Sequence, residues 1–301
     1  MEFFSRLESV LFCKDIDSRY ALFRDLYEDF LSQKTTLNHS QIINKDFVSF
    51  SPCKLTEPTK IHRSKSIKSK ESLAKTLHSI AHIEFCAISL ALDSAYRFRH
   101  LPRSYYEDWL GVASEEFRHF FLLRDLLGEI GFDYGDFTSH FGLYEAMSAT
   151  GENLIYRMGV VHRGLEAKGL DANPFVLEKL RQSDFWRDRF CGGFMSEVER
   201  VFGIILHDEI AHVGKGSKWW EFAQKQNKAK EGGSKNNLSR KSCEDFIEIC
   251  ERFSGFVLAG KVLNIQARIA SGFSKEECER IDKFYKDRFS KHSASKNFAE
   301  T

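Results

Sequence analysis

The amino-acid sequence predicts an all-α fold, a four-helix bundle with additional N- and C-terminal helices, and three observations support this prediction. Only 4 prolines occur among 301 residues. Long stretches lack the dipeptides that mark turns, which favours helices over a β fold with many turns. Apolar residues recur with the period of an amphipathic helix in four long segments, as expected for helices that share one core.

The first two long segments are bounded by residues that cap or break helices. The first covers about residues 72–99 and precedes Pro102. The second opens with Ser104-x-x-Glu107, the spacing of a capping box, and stops at Gly131. These signals predict a helical hairpin.

The remaining segments complete the predicted bundle. The third helix is expected over 143–168, with Gly169 ending it. A short helix is expected over 174–182, and the fourth long helix over about 185–226.

Three regions follow from this organisation. Residues 1–70 are predicted to form an N-terminal helical segment and an extended arm that ends in a basic run from Lys60 to Lys70. Residues 71–226 form the bundle. Residues 227–301 begin with a polar linker to residue 240, and two closing helices are expected between 241 and 290.

Composition narrows the class of protein. The net charge of +1 argues against strong attraction to nucleic acid or membrane, so the basic run is expected to be solvated surface rather than a phosphate site. We find no apolar run of about 18 residues and no signal peptide at the N-terminus. Seven cysteines without a Cys-x-x-Cys pair fit reduced thiols. A cytoplasmic protein without membrane association is therefore expected.

Each long helix places a glutamate in its apolar row. Two rows also carry a histidine three residues after the glutamate, and this i, i+3 spacing puts both side chains on the same face of the helix. The residues are Glu84 in the first helix, Glu116 and His119 in the second, Glu166 in the third, and Glu209 and His212 in the fourth.

Four carboxylates in one core would be costly without cations. An unpaired buried ion costs several kcal/mol, against about 5–15 kcal/mol for the net stability of a whole domain. These rows contain no lysine or arginine near the glutamates. A buried polar network or chance is the alternative, but two interleaved Glu-x-x-His motifs with two further glutamates match the di-iron or di-manganese arrangement of helix bundles.

The donor types favour particular metals. Carboxylate oxygens and imidazole nitrogens suit iron and manganese, and the pattern contains no thiolate. We therefore expect two iron ions as the cofactor, with manganese or a mixed Mn/Fe pair as alternatives.

The same residues resemble the ferritin-like superfamily of carboxylate-bridged di-iron proteins. A closer resemblance is to a bacterial ferritin-like family, domain of unknown function 455, and it spans roughly residues 60–275. It rests on the blocks 78–84, 87–88, 90–93, 97–98, 106–110, 115–120, 134–137, 165–171 and 208–213, and on Asn264-x-x-Ala267-Arg268. The resemblance implies the fold and the metal ligands, but it implies no substrate.

The resemblance also implies a catalytic residue, Asp208. In di-iron enzymes that activate oxygen, an aspartate directly before this glutamate orients the opposite histidine, so Asp208 would hold the ring N–H of His119. Glu115 would hold the ring N–H of His212 in the same way. The alternative is that both acids are solvent-side neighbours of core residues.

Three further histidines need an explanation. His162 lies one turn before Glu166 and is either a further ligand, a hydrogen-bond donor to a ligand, or a core histidine with satisfied hydrogen bonds, which is the favoured alternative. His78 and His82 share a face that turns away from Glu84. They are expected to pack under the N-terminal arm.

The leading functional hypothesis is an oxidoreductase whose two metal ions activate O₂ or peroxide for a reaction on an organic substrate. Non-enzymatic iron storage or detoxification is the first alternative, and an RNA-modifying enzyme similar to tRNA-hydroxylating di-iron enzymes is the second. The expected partners are a small-molecule or tRNA substrate and an electron-donor protein, and the expected state is a monomer or a small homo-oligomer.

Overall fold

The computed structural model describes residues 1–40, 43–48, 50–61, 66–183, 192–231 and 246–299. Helices dominate these residues and confirm the all-α prediction. The chain divides into two compact units. Unit 1 comprises Met1–Gly151 and Lys179–Ile204, and unit 2 comprises Glu152–Glu178 and Ile205–Thr301. The predicted division at residues 70 and 226 stays a prediction.

Unit 1 is built around a long helical hairpin. Its helices are α1 (Phe3–Leu11), α2 (Ile16–Leu31), α3 (Lys70–Arg97), α4 (Arg103–Glu129) and α5 (Gly142–Ala149). Helix α3 packs along α4, and α1 and α5 both contact α3. Two short parallel strands, β1 (Leu55–Thr56) and β2 (Ser139–His140), join the predicted arm to the segment before α5.

The cap at the start of α4 differs from the prediction. Pro102 is the N-cap residue, the helix begins at Arg103, and no side chain caps it. Proline favours a helix start because its φ is already fixed and it has no N–H to satisfy. The helix therefore begins one residue before Ser104, and Glu107 pairs with Arg103 at 3.1 Å. The capping-box prediction was wrong.

Unit 2 carries the third long helical stretch, which also differs from the prediction. Helix α5 ends at Ala149, and a new stretch begins after Asn153, whose side chain accepts a hydrogen bond from the backbone N–H of Ile155 at 2.8 Å. It consists of α6 (Leu154–Tyr156), a π-helix (Arg157–Leu165) and α7 (Glu166–Arg181).

Helix α7 continues through Gly169 and Pro174, so the predicted end at Gly169 was wrong. A proline inside a helix removes the hydrogen bond to the carbonyl four residues earlier. That carbonyl belongs to Leu170, and the side-chain amide of Asn264 donates to it at 3.3 Å. The lost helical bond is replaced from outside, which helps the helix to continue.

The last long helix is α8 (Gly192–Glu231), which extends past the predicted end at residue 226. Its predicted start at 185 lies outside the described residues. The C-terminal region contains a helical segment at 246–252, then α9 (Ile265–Ala270) and α10 (Lys275–Ala299). Among the helices that the structure describes, none is long and apolar enough to cross a membrane.

Candidate metal centre

Three predicted ligands come together in unit 1. Glu84 lies on α3, and Glu116 and His119 lie one turn apart on α4. Because α3 and α4 pack along each other, the three side chains converge, and one ligand atom of each lies within 4.8 Å of the others. Glu84 is 5% exposed, and Glu116 and His119 are completely buried. The unit therefore contains a buried group of two carboxylates and one imidazole that could hold a metal ion.

The imidazole lies between the two carboxylates. Nδ1 of His119 is 3.3 Å from Oε2 of Glu84 and 3.5 Å from Oε2 of Glu116. A buried carboxylate is stable as an ion only with a compensating cation nearby. A single imidazolium can compensate one of the two carboxylates. A divalent ion compensates both and leaves the neutral imidazole as a nitrogen donor.

Unit 2 contains the other three predicted ligands. On α8, Nδ1 of His212 lies 3.3 Å from Oε1 of Glu209. Glu166 is the first residue of α7, directly after the π-helix. His212 is fully buried, and the side chains of Glu166 and Glu209 are 10% and 13% exposed. The six predicted ligands thus form two sets, one in each unit, and each set has two carboxylates and one imidazole.

His162 is engaged with Glu166. Its Nδ1 lies 2.8 Å from Oε1 of Glu166, and its side chain is completely buried. Nδ1 of His162 therefore has a hydrogen-bond partner, as the favoured alternative of a core histidine expects. That partner, Glu166, is itself a predicted ligand. Asp208, the predicted catalytic residue, is 9% exposed, and Glu115 is partly exposed. Their roles stay predictions.

His78 and His82 are occupied by other groups in unit 1. The ring of His82 lies 2.9 Å from the hydroxyl of Tyr134 and 2.8 Å from the carbonyl of His140. The backbone N–H of Gly135 donates to Nε2 of His78 at 3.0 Å. Burial lowers the pKa of both histidines, that of His78 to about 4, so both rings are neutral near pH 7. The expectation that they pack rather than bind metal is consistent with these contacts.

Sequence reasoning missed a polar anchor in unit 2. Asp171 accepts hydrogen bonds from the guanidinium of Arg268 at 2.9 and 2.6 Å, and both side chains are completely buried. The same carboxylate accepts the backbone N–H groups of Gly260 and Asn264 at 2.8 Å. Asp171 thereby fixes the C-terminal segment to α7, one and a half turns after Glu166. Three of these residues, Asp171, Asn264 and Arg268, belong to the blocks that carry the family resemblance, but spacing alone gave them no role.

Comparisons with known proteins give a family but no activity. A family model described as "Protein of unknown function (DUF455)" matches residues 12–279. An uncharacterized protein of Haemophilus influenzae is 34% identical over 292 residues, which cover 93% of each of the two chains. No solved structure matches the chain.

Proposed function

We propose, from the premise that this chain belongs to the DUF455 family of proteins of unknown function, that it is a ferritin-like oxidoreductase with two iron or manganese ions. One observation supports the proposal most strongly. In unit 1, three ligand side chains of types that suit these metals lie buried within 4.8 Å of one another, on two helices that pack together. The sequence order Glu, Glu-x-x-His, Glu, Glu-x-x-His supports the second half of the site.

The residues present fit two divalent ions in type and in charge. Glu84, Glu116, Glu166 and Glu209 would supply oxygens, and His119 and His212 would supply one nitrogen to each ion. Four carboxylates compensate the four positive charges of two divalent ions. This balance would account for glutamates in rows where leucine would otherwise pack, since bound cations would offset the cost of burying the carboxylates.

When bound, two iron or manganese ions would supply electrons to O₂ or peroxide. The chain's own contribution is to exclude water and to hold the donors. Glu116 and His119 are completely buried, so bulk water does not compete for their ligand atoms. In this proposal Asp208 accepts the ring N–H of His119 that the metal does not use, which fixes the tautomer and raises the basicity of the ligand nitrogen.

The ligand assignment is tested by anaerobic titration of variants with Fe(II) and Mn(II). Glu116→Ala and Glu209→Ala should each lose binding at one or both ions. His82→Ala, which removes an equally buried histidine outside the proposed set, should keep two ions per chain. Loss of metal in His82→Ala together with full binding in Glu116→Ala would show that the assignment is wrong.

The enzyme is distinguished from an iron store by light scattering during iron titration. The oxidoreductase should remain a monomer or small oligomer, saturate near two irons per chain and consume O₂ or peroxide. A store should form a large hollow assembly and continue to accumulate ferric iron, and that result would overturn the enzyme proposal. Asp208→Asn should keep both ions with somewhat lower affinity and lose most reactivity with oxygen.

A further inference from the structure

The helix that presents Glu166 contains a rare element directly before it. Residues Arg157–Leu165 form a π-helix of nine residues. Such elements are rare, and they occur frequently at functional sites. Residues 157–164 are all buried, and His162 is one of them.

His162 contacts one oxygen of Glu166. Its Nδ1 lies 2.8 Å from Oε1, a distance typical of a charge-assisted hydrogen bond. A carboxylate accepts hydrogen bonds, so Nδ1 of His162 carries the proton and donates it. This bond fixes one oxygen of Glu166 and restricts rotation of the carboxylate about its terminal bond.

The backbone around His162 has little freedom. A Cβ at Gly216 of α8 would lie 2.7 Å from the Cβ of His162 and 3.1 Å from its carbonyl carbon. Only glycine allows this approach. Gly216 lies four residues after His212, and His162 lies four residues before Glu166, so the close contact is one helical turn from a predicted ligand on both helices.

The next residue of the π-helix is anchored to the C-terminal segment. The guanidinium of Arg163 bonds to Glu277 at 2.7 Å and lies 4.5 Å from the ring of Trp220 and 4.4 Å from that of Phe273. Arg163 is 2% exposed. A Cβ at Gly164 would meet the side chain of Leu258 at 3.1 Å. These contacts hold the π-helix from the side of the C-terminal segment and restrict the backbone on which His162 lies.

We propose that His162 is a positioning residue that sets the orientation of the Glu166 carboxylate toward the metal ions. This inference rests on the proposed function and adds an eighth residue to the site, after the six ligands and Asp208. The hydrogen bond holds Oε1 and thereby determines how the carboxylate presents its oxygens. Without it, Glu166 would rotate among several orientations, and ordering the carboxylate would oppose metal binding.

The test compares two variants of His162 with a matched control. His162→Leu removes the donor and keeps much of the volume. His162→Asn keeps an N–H donor near the position of Nδ1. His78→Leu removes a histidine that is equally buried but lies outside the proposed site. Circular dichroism of the metal-free proteins establishes that each variant folds, and His162→Met, with a flexible apolar side chain, replaces the leucine variant if that variant does not fold.

Anaerobic titration with Fe(II) and Mn(II), followed by electron paramagnetic resonance of the loaded protein, gives the readout. His162→Leu should bind one of the ions about 10–100-fold more weakly and show an altered manganese spectrum. His162→Asn should recover most of the affinity, and His78→Leu should match the wild type. Unchanged affinity and spectrum in His162→Leu would overturn the role of His162 and leave the proposed function standing. A wild type that takes up no metal would overturn both.

Discussion

Replacing Glu116 by glutamine should stabilise the metal-free protein while weakening its stabilisation by metal. The substitution keeps the volume of a completely buried side chain and removes its charge. It acts on the buried cluster of unit 1, where Glu84, Glu116 and His119 have ligand atoms within 4.8 Å of one another. The two effects have opposite signs, so a general loss of structure cannot produce both.

The magnitude follows from three contributions. Repulsion between two carboxylates whose ligand atoms lie within 4.8 Å of each other is at least about 3.5 kcal/mol at an effective dielectric constant of about 20. Attraction between Glu116 and a protonated His119 at 3.5 Å is about 4.7 kcal/mol on the same scale. Relief of the desolvation of one buried ion contributes several kcal/mol in favour of the variant. The balance predicts a gain of about 1–3 kcal/mol for the metal-free glutamine variant.

Thermal unfolding with and without Mn(II) measures both effects. The wild type should gain about 2.7 kcal/mol of stability at a free metal concentration one hundred times the Kd. Glu116→Gln should unfold at a higher temperature than the wild type in chelator and gain less stability than the wild type from metal. Glu129→Gln makes the same chemical change at an exposed position of α4 and should alter neither property. A glutamine variant that is less stable than the wild type without metal and gains as much stability from Mn(II) as the wild type would refute the reasoning.

Three further predictions concern other parts of the chain. Asp171→Ala should lower the free energy of unfolding by about 3–5 kcal/mol, because the buried guanidinium of Arg268 loses its carboxylate, and a loss below about 1 kcal/mol in urea denaturation would contradict this. Since the pKa of His78 falls from 6.5 in the unfolded chain to about 4 in the folded one, only the unfolded state takes up this proton between those values. Stability should therefore fall by up to about 1.4 kcal/mol per pH unit on acidification from 6.5 to 4, and His78→Gln should flatten this part of the profile; an equal slope in the variant would exclude His78 as its source. Gly216→Ala should lower the free energy of unfolding by about 1–3 kcal/mol, because the added methyl group overpacks against the π-helix. Gly203→Ala on the same helix, with no atom within 4 Å of its added Cβ, should leave the stability unchanged or raise it. Equal shifts of the unfolding temperature in the two variants would contradict the close contact.

The parts of the fold that depend on local pattern could be predicted from the sequence. Helices α3 and α4 follow from apolar periodicity, and the shared face of Glu116 and His119 follows from the i, i+3 spacing. Their convergence with Glu84 follows from the short connection between the two helices, which makes them packed neighbours. The i, i+3 spacing and the helical hairpin were therefore enough to predict the three ligands of unit 1.

The features that the sequence could not predict depend on contacts between distant segments. Helix α7 continues through Pro174 because Asn264, ninety residues later in the chain, donates to the carbonyl of Leu170. The π-helix packs against Gly216 of α8 and is held through Arg163, and neither contact has a signal in the local pattern. Because the sequence pattern was interpreted with a period of 3.6 residues, residues 157–165 were predicted to be α-helical, whereas the structure has a π-helix there.

The metal content of the wild-type chain tests the central claim most directly. Protein loaded anaerobically with Fe(II) or Mn(II), freed of excess metal and analysed by elemental mass spectrometry should carry close to two ions per chain, because four carboxylates and two imidazoles provide for two divalent ions. Chains that carry no iron or manganese, and whose thermal unfolding is unchanged when either metal is added, would contradict the account.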